Sequence, residues 1–204
     1  MSLRHDQILF LLRRHSLKNN INNPIGLILM IACSILCSCA TTQQTQLKSR
    51  DAEGYNNRGF AYCQKGQYDQ AISDFTKAIK MNPRLAHAYN NRGAAYLYED
   101  QYDQAISDFN KAIEIDPRLA HAYNNRGWAY MKKWRYDQAI SDFDKTIEID
   151  PKFVEAYYYR AIVYFLVEEY EKSLIDTIKA QQLGYQIPPK FLDDLRKAAR
   201  GIDV

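Results

Sequence analysis

Residues 86–119 read AHAYNNRGAAYLYEDQYDQAISDFNKAIEIDPRL, and residues 120–153 write nearly the same line again as AHAYNNRGWAYMKKWRYDQAISDFDKTIEIDPKF. A third version opens at residues 52–59 with AEGYNNRG. The copies are 34 residues apart: Tyr55, Tyr89, Tyr123 and Tyr157 keep that spacing, as do Ala71, Ala105 and Ala139, Phe75, Phe109 and Phe143, and Pro83, Pro117 and Pro151. Self-similarity at this period is the mark of a stacked array of helical hairpins.

The hairpin can be read inside one copy. Tyr89, Gly93 and Tyr96 lie at i, i+4 and i+7, one stripe of a first helix; Ala105, Ile106, Phe109, Ala112 and Ile113 make the matching stripe of a second. Gly93 and Ala105 are small where the two helices approach most closely. Asp103 falls in the first turn of the second helix, where its charge suits the dipole, and Pro117 stops that helix because the residue before a proline disfavours helical geometry. One hairpin cannot bury its own apolar faces, so neighbours must stack. Composition agrees: 47% of the 204 residues are apolar, while eight glycines and six prolines leave little room for the turns of a β-rich fold.

These residues resemble the tetratricopeptide repeat family. Tyr55, Gly59, Tyr62, Ala71, Phe75, Ala78 and Pro83 carry the pattern, which runs through 52–85, 86–119 and 120–153 and departs at Thr146, where the third copy should have alanine. Residues 154–187 form a degenerate fourth unit: Tyr157, Tyr164 and Ala180 stay, Ala161 replaces the glycine, and Ser173 and Thr177 stand for alanine and phenylalanine. Residues 188–204 supply a capping helix and tail, in which Phe191, Leu192 and Leu195 are expected to cover the last hairpin's exposed edge. The resemblance implies an all-α, right-handed helical-hairpin solenoid of about four such units, whose first helices line a concave groove.

Each copy carries an asparagine pair: Asn56–Asn57, Asn90–Asn91 and Asn124–Asn125. They follow the stripe tyrosine by one and two residues, about 100° and 200° around the helix, which places them off the buried stripe. The resemblance puts them in or beside the groove. Asn57, Asn91 and Asn125 stand where some family members carry an asparagine ladder that holds an extended peptide by its backbone, and a carboxamide offers both donor and acceptor for that task. The rival account is recent duplication, with NNRG simply carried along. One turn further on come Phe60, Ala94, Trp128 and Ile162; two aromatics flanking an alanine would leave an apolar notch for a partner's large side chain. Packing against the adjacent second helix is the alternative for this strip.

Arg58, Arg92, Arg126 and Arg160, with Asp74, Asp108, Asp142 and Asp176, persist even in the degenerate unit. That favours a structural role, expected as pairing between neighbouring hairpins. The clamp by which some family members hold chaperone tails is excluded. Its asparagine is present at Asn91, but Asn56, Phe60, His121 and Asn125 occupy the places of its lysine, second asparagine, second lysine and arginine.

Residues 1–38 read as a signal peptide or membrane anchor. The apolar run IGLILMIACSILC, residues 25–37, is short for a bilayer span and suits a signal-peptide core. It ends in LCSCA, which resembles the lipobox of bacterial lipoproteins, with Leu36, Ser38 and Cys39 as the residue to be lipidated. Cys33 is a poorer candidate, and an uncleaved anchor stays open because 24 residues precede the run; initiation at Leu17 would give a more compact basic lead. Acyl chains contribute about 0.8 kcal/mol per buried methylene, so several chains on Cys39 would anchor the body stably. Ala40 beside that cysteine implies the outer membrane of a two-membrane bacterium, with the body facing the periplasm. Residues 39–51 then read as a flexible tether of roughly 20 Å reach.

The formal charge of +3 resides in residues 1–38, where Arg4, Arg13, Arg14 and Lys18 face Asp6; the remainder is balanced. Balance argues against phosphate-backbone binding and so against a nucleic-acid partner. No GxSxG, HExxH, glycine-rich phosphate loop or CxxC occurs, and His87 and His121 occupy equivalent wall positions one repeat apart. No enzyme, cofactor or metal is expected. Cys63 reads as a packed small hydrophobe. The expected role is a non-catalytic adaptor holding a protein or extended peptide in its groove, with a self-assembling structural protein of the envelope as the alternative.

Overall fold

The computed structural model describes residues 50–200. The lipidation candidate Cys39, the rest of the expected signal and most of the tether, and residues 201–204 of the tail, lie outside the described residues.

Among the described residues there are nine helices and no strand. Helix α1 covers residues 50–64, followed by α2 (Tyr68–Met81), α3 (Ala86–Tyr98), α4 (Tyr102–Ile115), α5 (Ala120–Lys132), α6 (Tyr136–Ile149), α7 (Val154–Leu166), α8 (Tyr170–Gln182) and α9 (Pro189–Ala198). Helix α1 already includes Arg50 and Asp51, which the sequence assigns to the tether.

Local chemistry sets the boundaries. Asn82, Asp116 and Asp150 precede a proline and are driven to extended geometry, with φ of −132°, −131° and −133°. Each carboxyl or amide oxygen then accepts the backbone N–H two residues on, from Arg84, Arg118 and Lys152 at 3.1, 3.0 and 2.9 Å. This Asx turn redirects the chain into the next hairpin. Within each hairpin the turn needs one left-handed residue, which is Gly66 at φ 72° in the first unit but Asp100, Trp134 and Glu168 in the others.

Helices pack in sequence, and first helices also touch first helices, α3 on α5 and α5 on α7. The result is one wall of first helices backed by second helices. Phe75, Phe109 and Phe143 are fully buried, each against the glycine of its partner helix. A Cβ on Gly93 would lie 2.7 Å from Phe109 Cε1, and Gly59 and Gly127 are as tightly placed, at 2.7 and 2.8 Å. The fourth unit solves the same approach differently: with Thr177 in place of phenylalanine, Ala161 fits, and Ser173 donates to the Ala161 carbonyl at 2.7 Å. Thr146, the departure in the third unit, is buried with its hydroxyl donating to the Asp142 carbonyl at 2.9 Å.

Helix α9 covers less than the sequence suggests. Leu195 is fully buried, and Phe191 meets Tyr158 and Phe165 of α7 at ring distances of 5.9 and 5.6 Å. Leu174, Ile175 and Ile178 of α8 stay exposed.

Candidate functional site

The wall of first helices opens between the second, third and fourth units into a hollow of about 530 Å³. Ala94 and Leu97 from α3, Trp128 from α5, and Phe153 from the turn before α7 supply apolar surface. Polar groups ring it: His121, Asn124 and Asn125 from α5, Tyr159 and Glu155 from α7, and Asp150 and Lys152 from the turn. His121 meets the Phe153 ring edge-on at 4.9 Å. Charges of both signs are present, so the hollow does not select strongly for an acidic or a basic ligand.

Ala94 and Trp128 share one cavity, with Lys132 Nζ 4.9 Å from the Trp128 ring. Trp128 also packs against the cluster of Leu97, Ala105, Ile106 and Phe109, so groove and packing roles coincide in one side chain. Phe60 is not part of this hollow; it stands on α1, 53% exposed. Tyr98 and Phe153 line the hollow without having been picked out as ligand-facing. The signal available for Phe153 was its departure from Leu85 and Leu119 at the equivalent places.

The asparagines divide into two sets. Asn90 and Asn124 are only 7% and 6% exposed, against the expectation that the whole pair lies off the buried surface. The physical reason is that each first helix packs against its own second helix and also against the neighbouring first helices, so its buried arc is wider than one stripe. Asn91 Nδ2 donates to Asn56 Oδ1 at 3.0 Å, and Asn125 Nδ2 donates to Asn90 Oδ1 at 3.1 Å. The ladder thus runs from repeat to repeat within the protein. It stops at the fourth unit, where Tyr159 replaces the next donor, and Asn124 Oδ1 is left buried without a partner. Asn57 is exposed, and Asn125 Oδ1 accepts no protein donor among the described residues, so both keep capacity for a ligand.

The arginines pair within hairpins rather than between them. Arg92 donates through Nε and Nη2 to Asp108 at 2.7 and 2.8 Å, and Arg126–Asp142 and Arg160–Asp176 repeat the two-pronged geometry. The link to the preceding hairpin comes from the third nitrogen. Nη1 donates to Thr76 from Arg92 at 3.0 Å, to Asn110 from Arg126 at 2.6 Å, and to Asp144 from Arg160. Each of these guanidinium groups also lies 5.5 to 6.0 Å from two tyrosine rings of its own helix. Burial pushes the Cys63 thiol above its ordinary value, in keeping with a packed side chain.

A tetratricopeptide repeat family model matches residues 52–85, 86–119 and 120–153, and a second model of that description matches 143–175. The chain belongs to the tetratricopeptide repeat family. Among solved structures, the first tetratricopeptide domain of Spaghetti (RPAP3), bound to the HSP90 peptide SRMEEVD, is 27% identical with a TM-score of 0.57. The match covers 58% of this chain and 94% of that one. The Arabidopsis OM64 tetratricopeptide domain is 31% identical with a TM-score of 0.56, covering 57% and 96%. MamA is 25% identical with a TM-score of 0.61, covering 70% and 83%. A search of curated proteins returned no match.

Within this tetratricopeptide array, the described residues hold no group of three or more His, Cys, Asp or Glu side chains placed to bind a metal ion, and His87 and His121 are both exposed.

Proposed function

We propose that this tetratricopeptide protein is a non-catalytic adaptor that takes a peptide segment of a partner protein into the hollow between its second and fourth units. The observation that carries the reading is the conjunction in one 530 Å³ cavity of an apolar notch at Ala94 and Trp128 with carboxamide groups at Asn124 and Asn125. A large apolar side chain fills the notch and supplies the contact area, while Asn125 Oδ1 accepts a peptide N–H without reading its side chain. The peptide bound by the Spaghetti domain supports the class of ligand. The mixed charge around this hollow favours a segment less acidic than that one.

The tether is a second part of the proposal. Lipid on Cys39 holds the array at a bacterial envelope membrane, facing the periplasm from the outer membrane, and restricts its partners to that compartment. Labelled palmitate incorporation tests this: label lost in Cys39→Ser supports it, and label retained places the lipid elsewhere.

Selection from a random dodecapeptide display library tests the groove. Parent protein should enrich sequences with a large apolar or aromatic residue. Ala94→Leu, which fills the notch while leaving every hydrogen bond in place, should abolish that enrichment at an unchanged melting temperature. Equal enrichment by both proteins contradicts the reading.

A further inference from the structure

Helix α8 departs from its three predecessors on the face turned away from the groove. Ser73, Ser107 and Ser141 are replaced there by Ile175, and Thr76, Asn110 and Asp144 by Ile178. Ile175 is 66% exposed, Ile178 45% and Leu174 38%, so about one turn of one helix presents branched aliphatic side chains to water. The other units keep polar side chains at the places of Ile175 and Ile178, whereas Leu174 stands where they carry Ile72, Ile106 and Ile140.

Continuation of the stack by another copy's first unit does not account for it. At every internal junction the residue equivalent to Ile178 accepts Nη1 of the next arginine: Thr76 from Arg92, Asn110 from Arg126 and Asp144 from Arg160. Ile178 offers no acceptor to Arg58 of a following chain, and a polar group would be covered unpaired.

We infer that α8 is a self-association surface, on which a second copy of this chain seats its own α8 antiparallel across a two-fold axis near Ile175. Charge complementarity selects this occupant. Glu171 and Lys179 flank Ile175 at equal distance along the helix, both exposed and neither in an ion pair among the described residues. In an antiparallel pair Glu171 of each copy meets Lys179 of the other, so two ion pairs bracket an aliphatic centre of Ile175, Ile178 and Leu174. A parallel arrangement would set like charges against each other. The surface is isologous and closes as a dimer, which leaves the groove of both copies free. Two helical turns make a small interface, so association is weak and concentration-dependent.

The test is disulfide trapping in the full-length chain held in a mild non-ionic detergent, read above the background of the parent cysteines. Ile175→Cys lies on the axis and should form a homodimer about tenfold faster than Ser107→Cys, the equivalent outward position of the second unit. Equal rates overturn the inference. On the Ile175→Cys background, Glu171→Lys should slow trapping and added Lys179→Glu should restore it, with circular dichroism unchanged throughout. Failure of the double reversal to restore the rate also overturns it, because a partner of any other kind has no reason to respond to that exchange.

Discussion

The Asn125 carboxamide donates to the Asn90 carboxamide of the preceding repeat at 3.1 Å, whereas Asn124, its neighbour, carries a buried oxygen with no donor. The two buried asparagines, equivalent by repeat, therefore have opposite energetic roles. Asn90→Leu leaves the Asn125 donor unpaired and should destabilise by about 1–2 kcal/mol, while Asn124→Leu removes an unsatisfied acceptor and should be neutral or stabilising. Urea unfolding of the two variants measures the contrast. Equal losses would show that the ladder has no polarity.

The spacing between Gly93 and Phe109 predicts a sign that helix propensity alone gets wrong. Alanine is favoured over glycine in a helix by about 1 kcal/mol, yet a Cβ here would sit 2.7 Å from the ring. Overpacking costs about 1–3 kcal/mol, so Gly93→Ala should lower the melting temperature. Adding Phe109→Leu should recover part of that loss relative to Phe109→Leu alone, as the pairing of Ala161 with Thr177 in the fourth unit already suggests. Thermal unfolding of the double-mutant cycle checks it.

Trp134 occupies the left-handed turn position at φ 61° and is 77% exposed. A non-glycine residue there carries about 1 kcal/mol of backbone strain, so Trp134→Gly should raise stability by a few tenths to about 1 kcal/mol, net of glycine's entropy in the unfolded chain. A fall in denaturation midpoint would mean that the Trp134–Tyr136 edge contact outweighs the strain.

Acid should loosen the first unit through Asp74. Hydrogen bonds from Arg58, aided by Lys77 and opposed by burial, hold its carboxyl below the ordinary carboxylate range. A depressed folded pKa means that the unfolded chain binds the proton first as pH falls. The stabilisation is complete above the unfolded value of about 4 and is lost as pH drops through the lower folded value. Asp74→Asn should flatten the dependence of stability on pH between about 5 and 3. An unchanged slope would assign acid sensitivity to other carboxylates.

Much of this architecture was legible in the chain. The 34-residue period, the prolines that end second helices and the small Gly93 and Ala105 where two helices approach fixed the hairpins, because each depends on local geometry repeated several times. Burial of Asn90 and Asn124 was not legible, since angular position relative to Tyr89 or Tyr123 says nothing about a neighbouring repeat pressing from the side. Nor was the partner of each arginine: the spacing from Arg92 to Asp108 crosses a turn, and only the folded hairpin shows that the carboxylate belongs to the same unit. The aliphatic face of α8 was written plainly in the replacement of serine by Ile175 and of Thr76, Asn110 and Asp144 by Ile178, but a cap expected to cover the last hairpin hid its meaning.

Trp128 offers the most direct measurement of the central claim, because it lines the hollow and only one other tryptophan exists, Trp134. In a Trp134→Phe background, titration with a peptide selected from the display library should shift and saturate Trp128 emission, and Ala94→Leu should remove the response without altering the melting temperature. Peptide binding that leaves Trp128 emission unchanged, or that survives Ala94→Leu undiminished, would contradict the assignment of the groove as the binding surface.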